Sequence, residues 1–359
     1  MPVDSPCAAV SDKLLRHYDL HARTLPWRAP PHSNRADPYR VWLSEIMLQQ
    51  TTVAAVIPYF DRFTRRWPTV EALAAAPDAD LMAAWAGLGY YARARNLLAC
   101  ARAVVRDHGG QFPPDETTLR TLPGIGAYTA AAVSAIAFGR RAVAIDANVE
   151  RVTARLFAIA TPLPIGRAEI AQAADSITPD ARAGDFAQAM MDLGATICTS
   201  RNPACMACPL NAECAGFRSG DPAAFPVKAP KKARPQRHGH IWWIERGDHV
   251  WLEQRPAKGL LGGMRGLPTS DWNDMPDPAP PIVARWSTAA EPVEHVFTHF
   301  ALSLTVHRAR IADGPAESDC MAGRAGEWWP HARIAQAGLP GVFAKAARRA
   351  ASIEIEEQE

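Results

Sequence analysis

The sequence predicts two domains, an all-α domain over the first two-thirds of the chain and a small α/β domain after it. Three observations support this. Up to about residue 221, segments rich in Ala, Leu and Val at helical spacing alternate with breaks at Pro68, Pro77, Gly109-Gly110, Pro113-Pro114, Pro162 and Pro164. Four cysteines, Cys198, Cys205, Cys208 and Cys214, close that region with the spacing C-x6-C-x2-C-x5-C. Beyond a basic stretch the pattern changes to the alternation of half-buried strands. A chain of 359 residues is long enough to build a separate core in each domain.

Composition narrows the class. An apolar fraction of 48% with 21% charged residues describes an ordinary globular protein. A net charge of +2 is too close to neutral to argue by itself for a nucleic-acid partner. No stretch is long and apolar enough to cross a membrane, and Met1 to Ser11 lacks the regions of a secretory signal, so a cytoplasmic location is expected. Thiols stay reduced there, and the remaining cysteines (Cys7, Cys100, Cys320) are too scattered for a disulfide framework.

Taken in order, the first informative element starts at Asp37-Pro38, an N-cap followed by a proline suited to the first helical position. Val41, Glu45 and Leu48 then share one face, with Trp42 and Ile46 alongside. Glu45 is the only charged residue between Val41 and Phe60. Desolvation there would raise its pKa and prepare a general acid near neutral pH; a Glu at the water-facing edge of a buried helix would have the same sequence. Gly87-Leu88-Gly89-Tyr90-Tyr91-Ala92-Arg93 joins flexible turns to two aromatics and a cation, a composition that suits wedging into a base stack or plain packing.

Leu122-Pro123-Gly124-Ile125-Gly126 falls between helical segments Glu116 to Thr121 and Ala127 to Phe138. Gly124 and Gly126 allow a sharp turn and close approach, and the following helix start offers N–H groups to a backbone phosphate. A helix–turn–helix connection without a ligand reads the same way. Asp146 ends the apolar run Ala142 to Ile145; it suits an N-cap, or a carboxylate aimed across a cleft at Glu45. The cysteine quartet can surround an iron–sulfur cube or a zinc ion.

Residues 222–237 form a basic, Pro-rich linker, with Lys228, Lys231, Lys232, Arg234 and Arg237 interleaved with prolines. Past it, Ile241 to Ile244, a Gly247-Asp248 turn and Val250 to Leu252 predict a hairpin. Leu302, Leu304 and Val306 alternate with polar residues and predict a further strand. The domain boundaries are thus 1–221, 222–237 and 238–359.

Together these pieces resemble the MutY-type adenine DNA glycosylases of the endonuclease III, helix–hairpin–helix superfamily. Pro26-Trp27-Arg28, the run Tyr39 to Thr51, Gly87 to Arg95, the hairpin with Tyr128, Asp146-x-Asn148-Val149 and the quartet carry the likeness, from about residue 12 to 217. The C-terminal domain resembles the Nudix-hydrolase-like domain that reads 8-oxoguanine in that family, through Gly259 to Met264 and Phe297-Thr298-His299-Phe300. No Glu occurs between Glu253 and Glu291, so the Mg2+-holding helix of a working Nudix hydrolase is not expected.

The resemblance implies base excision repair of double-stranded DNA, in which adenine mispaired with 8-oxoguanine or guanine is flipped out and removed. Carried over residue by residue, Glu45 protonates adenine N7, Asp146 stabilises or briefly captures the sugar cation, and Tyr128 and Asn148 orient them. Arg28 and Gln188 hold the adenine, while Leu48, Gln50, Thr51 and Tyr90 fill or line the opened duplex. Gly124 and Gly126 meet phosphate, and Phe297, Thr298 and His299 sense 8-oxoguanine. Cys198, Cys205, Cys208 and Cys214 hold a [4Fe–4S] cluster. Bifunctional relatives carry a Lys where Tyr128 stands, so base removal without Schiff-base strand cleavage is implied. A monomer working at the bacterial nucleoid is expected. Ala147 stands where the family usually has Gly, and Thr298 where it usually has Ser.

Overall fold

Helices α1 (Pro6–His21), α2 (Pro38–Leu48) and α3 (Val53–Arg66) open the chain. α2 begins where Asp37-Pro38 predicts: the Asp37 side chain accepts from the Tyr39 N–H at 2.9 Å, and Pro38 occupies a position where a missing donor costs nothing. Tyr39 and Val41 through Met47 are all buried, so Glu45 is enclosed by an apolar layer. The computed structural model describes residues 6–33, 36–230, 234–256, 259–297, 299–312, 321 and 323–353, and the chain divides into two units after Pro230.

In the first unit, α4 (Val70–Ala74), α5 (Asp78–Trp85) and α6 (Tyr91–His108) join α2 and α3 around a core centred on Trp42, Phe60, Phe63, Trp85 and Leu97. A second core gathers α1, α9 (Ala147–Leu156), α10 (Arg167–Ile177) and α11 (Ala183–Thr196). Between the two cores runs α8 (Ala127–Phe138). Its Ala130 and Val133 face the first core, and Ala131, Ala132 and Ala135 face the second. Small side chains on every side let α2 and α11 both pack against it.

α7 (Glu116–Leu119) stops two residues short of the predicted Thr121, because Leu122 precedes Pro123 and is pushed out of helical geometry. Gly124 in the turn has φ +75°, and a Cβ there would lie 2.7 Å from Asn96 Cβ. Both conformation and space therefore require glycine.

The predicted linker is partly claimed by the helical unit. Asp221 caps a short turn at Pro222–Ala224, Phe225 packs with Ala154, Ile159 and Ile170, and its carbonyl accepts from Arg155 Nε at 3.0 Å. Leu163 N–H then donates to Val227 O at 2.8 Å. Lys231 and Lys232 lie outside the described residues.

The second unit is a mixed sheet with strand order β3-β2-β1-β6-β4, formed by β1 (Gln236–Arg246), β2 (His249–Gln254), β3 (Arg265–Gly266), β4 (Ser287–Thr288) and β6 (Ala301–Ile311); β5 (Val293–Val296) pairs β6 and β7 (Gly326–Pro330) pairs β2. β1 and β2 are the predicted hairpin, and Leu302, Leu304 and Val306 are buried along β6 as their alternation requires. β1 and β6 run parallel from Gln236↔Ala301 to Arg246↔Ile311. The last helix, α12 (Gly341–Ala351), covers one face with Val342, Phe343, Ala346 and Ala350. Ile282, Met321 and Trp251 cover the other. Among the described residues no helix is long and apolar enough to cross a membrane.

Candidate active site

Where the two helical cores meet, a cleft of about 530 Å³ opens, lined by residues from α2, α8, α9 and α11. Glu45 lies within it at 6% exposure. Tyr128, in the first turn of α8, donates its hydroxyl to Glu45 Oε2 at 2.7 Å. Burial pushes the Glu45 carboxyl up to about 7. The Tyr128 hydrogen bond and the Arg28 charge pull the other way, and the nearby Asp146 charge adds to the rise. The water-facing alternative for Glu45 is thereby set aside. Burial also holds the Tyr128 phenol well above its usual pKa, so it remains a donor.

Asp146 takes both positions its sequence left open. It is the N-cap of α9, with Oδ1 accepting from Val149 N–H at 2.7 Å, and it lines the same cleft as Glu45. Its other oxygen accepts from Asn148 Nδ2 at 2.8 Å. Asn148 is oriented in turn by Arg151, whose Nη2 donates to Asn148 Oδ1 at 2.9 Å while its Nε donates to Cys198 O at 2.8 Å. Both carboxylate oxygens thus have N–H donors, at the end of a helix whose dipole attracts negative charge.

Arg28, Leu48, Gln50, Thr51 and Gln188 also line the cleft. Arg28 is held by Asp192 on α11, Nη1 to Oδ2 at 2.6 Å, and Asp192 also accepts from Arg23 Nε at 2.5 Å. Gln188 is buried, its Nε2 3.3 Å from Gly184 O. Tyr90 lies outside the cleft lining, 62% exposed. Gly124 and Gly126 are exposed in the hairpin, away from the lining residues. Arg93, read from sequence as a cation beside the wedge aromatics, is instead buried.

Asp192 and Arg151 were missed by sequence reasoning. Asp192 carried a signal: it interrupts the apolar run Ala189-Met190-Met191-Asp192-Leu193, as Glu45 interrupts its own. Arg151 carried none, sitting beside Glu150 on what reads as an ordinary charged face.

The cysteine loop is organised by Arg155, which is 2% exposed. Its Nη1 donates to Thr199 O at 2.7 Å and lies 3.3 Å from Cys198 Sγ, while its own carbonyl is 3.4 Å from Cys214 Sγ. All four thiols are free of disulfides and half-buried, and burial, with the neighbouring thiols of the quartet adding to it, pushes Cys205, Cys208 and Cys214 above the usual thiol pKa. Among the described residues no three His, Cys, Asp or Glu side chains converge tightly enough to close on a single ion.

In the second unit, Phe297 turns inward. Its ring stacks on Trp272 at 5.7 Å and meets Phe300 at 4.8 Å, and its N–H donates to Phe300 O at 2.9 Å. His299 is exposed, and Thr298 lies outside the described residues. Among the described residues no helix lies between β2 and β4.

Residues 43–175 match the HhH-GPD superfamily of base excision DNA repair proteins, and residues 240–349 match the NUDIX domain. The chain is 34% identical to the human adenine DNA glycosylase over 83% of its length, and 33% identical to the mouse adenine DNA glycosylase over 86%. It spans 66% of the human relative and 72% of the mouse one. The chain belongs to the adenine DNA glycosylase family. The adenine DNA glycosylase of Mycolicibacterium smegmatis is 42% identical over 59% of this chain and 70% of that one. A solved thermostable thymine-DNA glycosylase superposes with a TM-score of 0.53 at 30% identity, covering 60% of this chain and 97% of its own. Within the adenine DNA glycosylase family, Glu45, Tyr128 and Asp146 thus occupy one cleft of the HhH-GPD unit, while the NUDIX match belongs to the second unit.

Proposed function

We propose that this protein acts in base excision repair as a monofunctional glycosylase, removing adenine mispaired with 8-oxoguanine or guanine in double-stranded DNA. The observation that carries the reading is a buried carboxyl raised to about 7 that shares one cleft with a second, N–H-bound carboxylate. Glu45 keeps a proton near neutral pH, and because Tyr128 occupies Oε2, the proton sits on Oε1, free to pass to adenine N7. Cleavage of the C1′–N9 bond returns its electron pair to the protonated base. The sugar cation left behind faces Asp146, which stabilises or briefly captures it before water completes hydrolysis, the division of labour of a retaining glycosidase. Asn148 and Val149 N–H hold Asp146 for this step.

Arg28, fixed by Asp192, and Gln188 hold the flipped base, with Leu48, Gln50, Thr51 and Tyr90 in the opened duplex. Gly124 and Gly126 bring backbone N–H groups to phosphate. His299 and Thr298 meet the opposite base, while Phe297 packs on Trp272 beside them in sequence. Among the described residues the cleft lining contains no lysine, and Tyr128 stands where a Schiff-base lysine would, which supports hydrolysis without strand cleavage. Cys198, Cys205, Cys208 and Cys214 would hold [4Fe–4S], a group that needs its thiolates farther apart than a single ion does, and when bound it would brace the loop that Arg155 holds.

Single-turnover excision on duplexes with adenine opposite each ordinary base and 8-oxoguanine tests this. Abasic product is expected opposite 8-oxoguanine and guanine, with strands broken only after alkali. Equal excision opposite thymine, or breaks without alkali, would overturn it.

A further inference from the structure

Arg93 is a buried cation on α6, and among the described residues it has no ion-pair partner. Its guanidinium is spent on backbone. Nη1 donates to Ile46 O at 3.1 Å and Met47 O at 2.9 Å, the carbonyls left open at the end of α2. Nη2 donates to Leu88 O at 3.0 Å and to Thr51 Oγ1 at 3.2 Å, and it lies 3.4 Å from Gly89 O. The ring of Trp85 lies 5.3 Å from the cation, and that of Tyr90 5.4 Å.

These contacts join two separate segments. One is the end of α2, immediately after Glu45 in sequence; the other is the turn entering α6. Each carries a non-glycine residue in the left-handed region, Gln50 at φ +55° and Tyr90 at φ +48°. Such residues hold that conformation only where the surroundings impose it. Both are exposed, and Arg93 is the group that binds the backbone beside both. A planar fork can serve several carbonyls at once; a lysine ammonium in the same place cannot.

We propose that Arg93 is a positioning residue for opening the duplex: it locks the Gln50 and Tyr90 segments to each other and to the helix that carries Glu45, so that base flipping and acid placement occur in one fixed frame. This rests on the reading that Gln50 and Tyr90 enter the opened duplex.

The test uses the full-length protein and a duplex with 2-aminopurine beside the mispaired adenine, whose fluorescence rises on unstacking. Arg93→Lys is expected to keep a native circular dichroism spectrum, lose the fluorescence rise, and slow single-turnover excision by about 100-fold, the cost of ångström-scale misplacement. The pH at which excision declines should stay near that of the parent, because Glu45 and Tyr128 are untouched. Combined with Tyr90→Ala, the losses should be strongly non-additive, since one residue acts through the other. Thr51→Val, which removes one of the Arg93 contacts together with the Thr51 hydroxyl's bond to Gln49 O, should give a small loss in the same direction. Parental fluorescence in a folded Arg93→Lys protein, or simple additivity with Tyr90→Ala, would overturn the inference. If Tyr90→Ala and Gln50→Ala themselves leave the fluorescence rise intact, the underlying reading of these two residues fails instead.

Discussion

Glu45 in the helical unit and Glu245 in the sheet unit are both buried carboxylates, 6% and 1% exposed, and they are put to opposite uses. Glu245 accepts from Trp243 Nε1 at 2.6 Å and pairs with Arg308 at 2.9 Å and Arg310 at 3.3 Å. Arg308 also donates to Ile353 O at 2.6 Å, just past α12, so the ion pair ties the last helix to the sheet. Glu45 has a single neutral donor, Tyr128, and no cation in contact among the described residues; its carboxyl rises to about 7. Burial alone therefore does not make an acid. Burial without a cation makes a proton donor, and burial with two guanidiniums makes a structural bolt.

The comparison breaks most visibly at the chemistry. Glu45→Gln is expected to lower single-turnover excision by at least about 10²- to 10⁴-fold, the range of a lost general acid, with mismatched-duplex binding in a mobility-shift assay changed no more than a few-fold. Parental excision by this variant would remove Glu45 from its role. Glu245→Ala should instead act on stability. It leaves half-buried Arg308 without its partner, a loss on the order of 3 kcal/mol, read as an earlier unfolding transition of the sheet unit in denaturant. An unchanged transition would show that the ion pair is incidental.

A subtler prediction concerns the stability cost of Glu45. Its folded carboxyl holds a proton more tightly than the unfolded chain does, so the cost is absent below pH 4.5, grows as pH rises and is complete above about pH 7. The rise corresponds to roughly 3 kcal/mol. Glu45→Gln should therefore melt at higher temperature than the parent at pH 8, with the gain fading towards pH 4. A gain independent of pH would point to packing. The smallest effect is expected from Tyr128→Phe. Parental excision should fall as pH rises through about 7, when Glu45 loses its proton. Without the hydroxyl that favours the ionised form, that decline should move to higher pH, alongside a loss of about tenfold in rate from poorer orientation. A decline displaced downward would contradict the assigned hydrogen bond.

Much of the fold was legible along the chain. Asp37-Pro38 marks the start of α2, the glycines mark the hairpin, and alternation marks β6, because caps, φ preferences and side-chain periodicity act over a few residues. The candidate site was legible through its composition: a lone acid in an apolar helix and a closely spaced quartet of cysteines. Less visible were residues that work through distant partners. Arg93 reads as a cation beside two loop aromatics, yet it binds carbonyls more than forty positions earlier. The packing of Phe297, placed by resemblance in the 8-oxoguanine-sensing loop, on Trp272 was not legible either. The linker reads as free from residue 222, yet Phe225 and Val227 are bound to the helical unit.

The sequence by itself determined which segments become helices and strands, where the cysteine loop falls, and that a lone acid interrupts an otherwise apolar helix. Only the tertiary structure decided what that acid is worth. Tyr128 is 83 positions from Glu45 and Asp146 lies beyond it; burial under the surrounding apolar layer raises the carboxyl to about 7, with the Asp146 charge adding to the rise and the Tyr128 hydrogen bond opposing it. Local propensity reaches a turn or two along the chain; desolvation and charge depend on whatever the fold brings near.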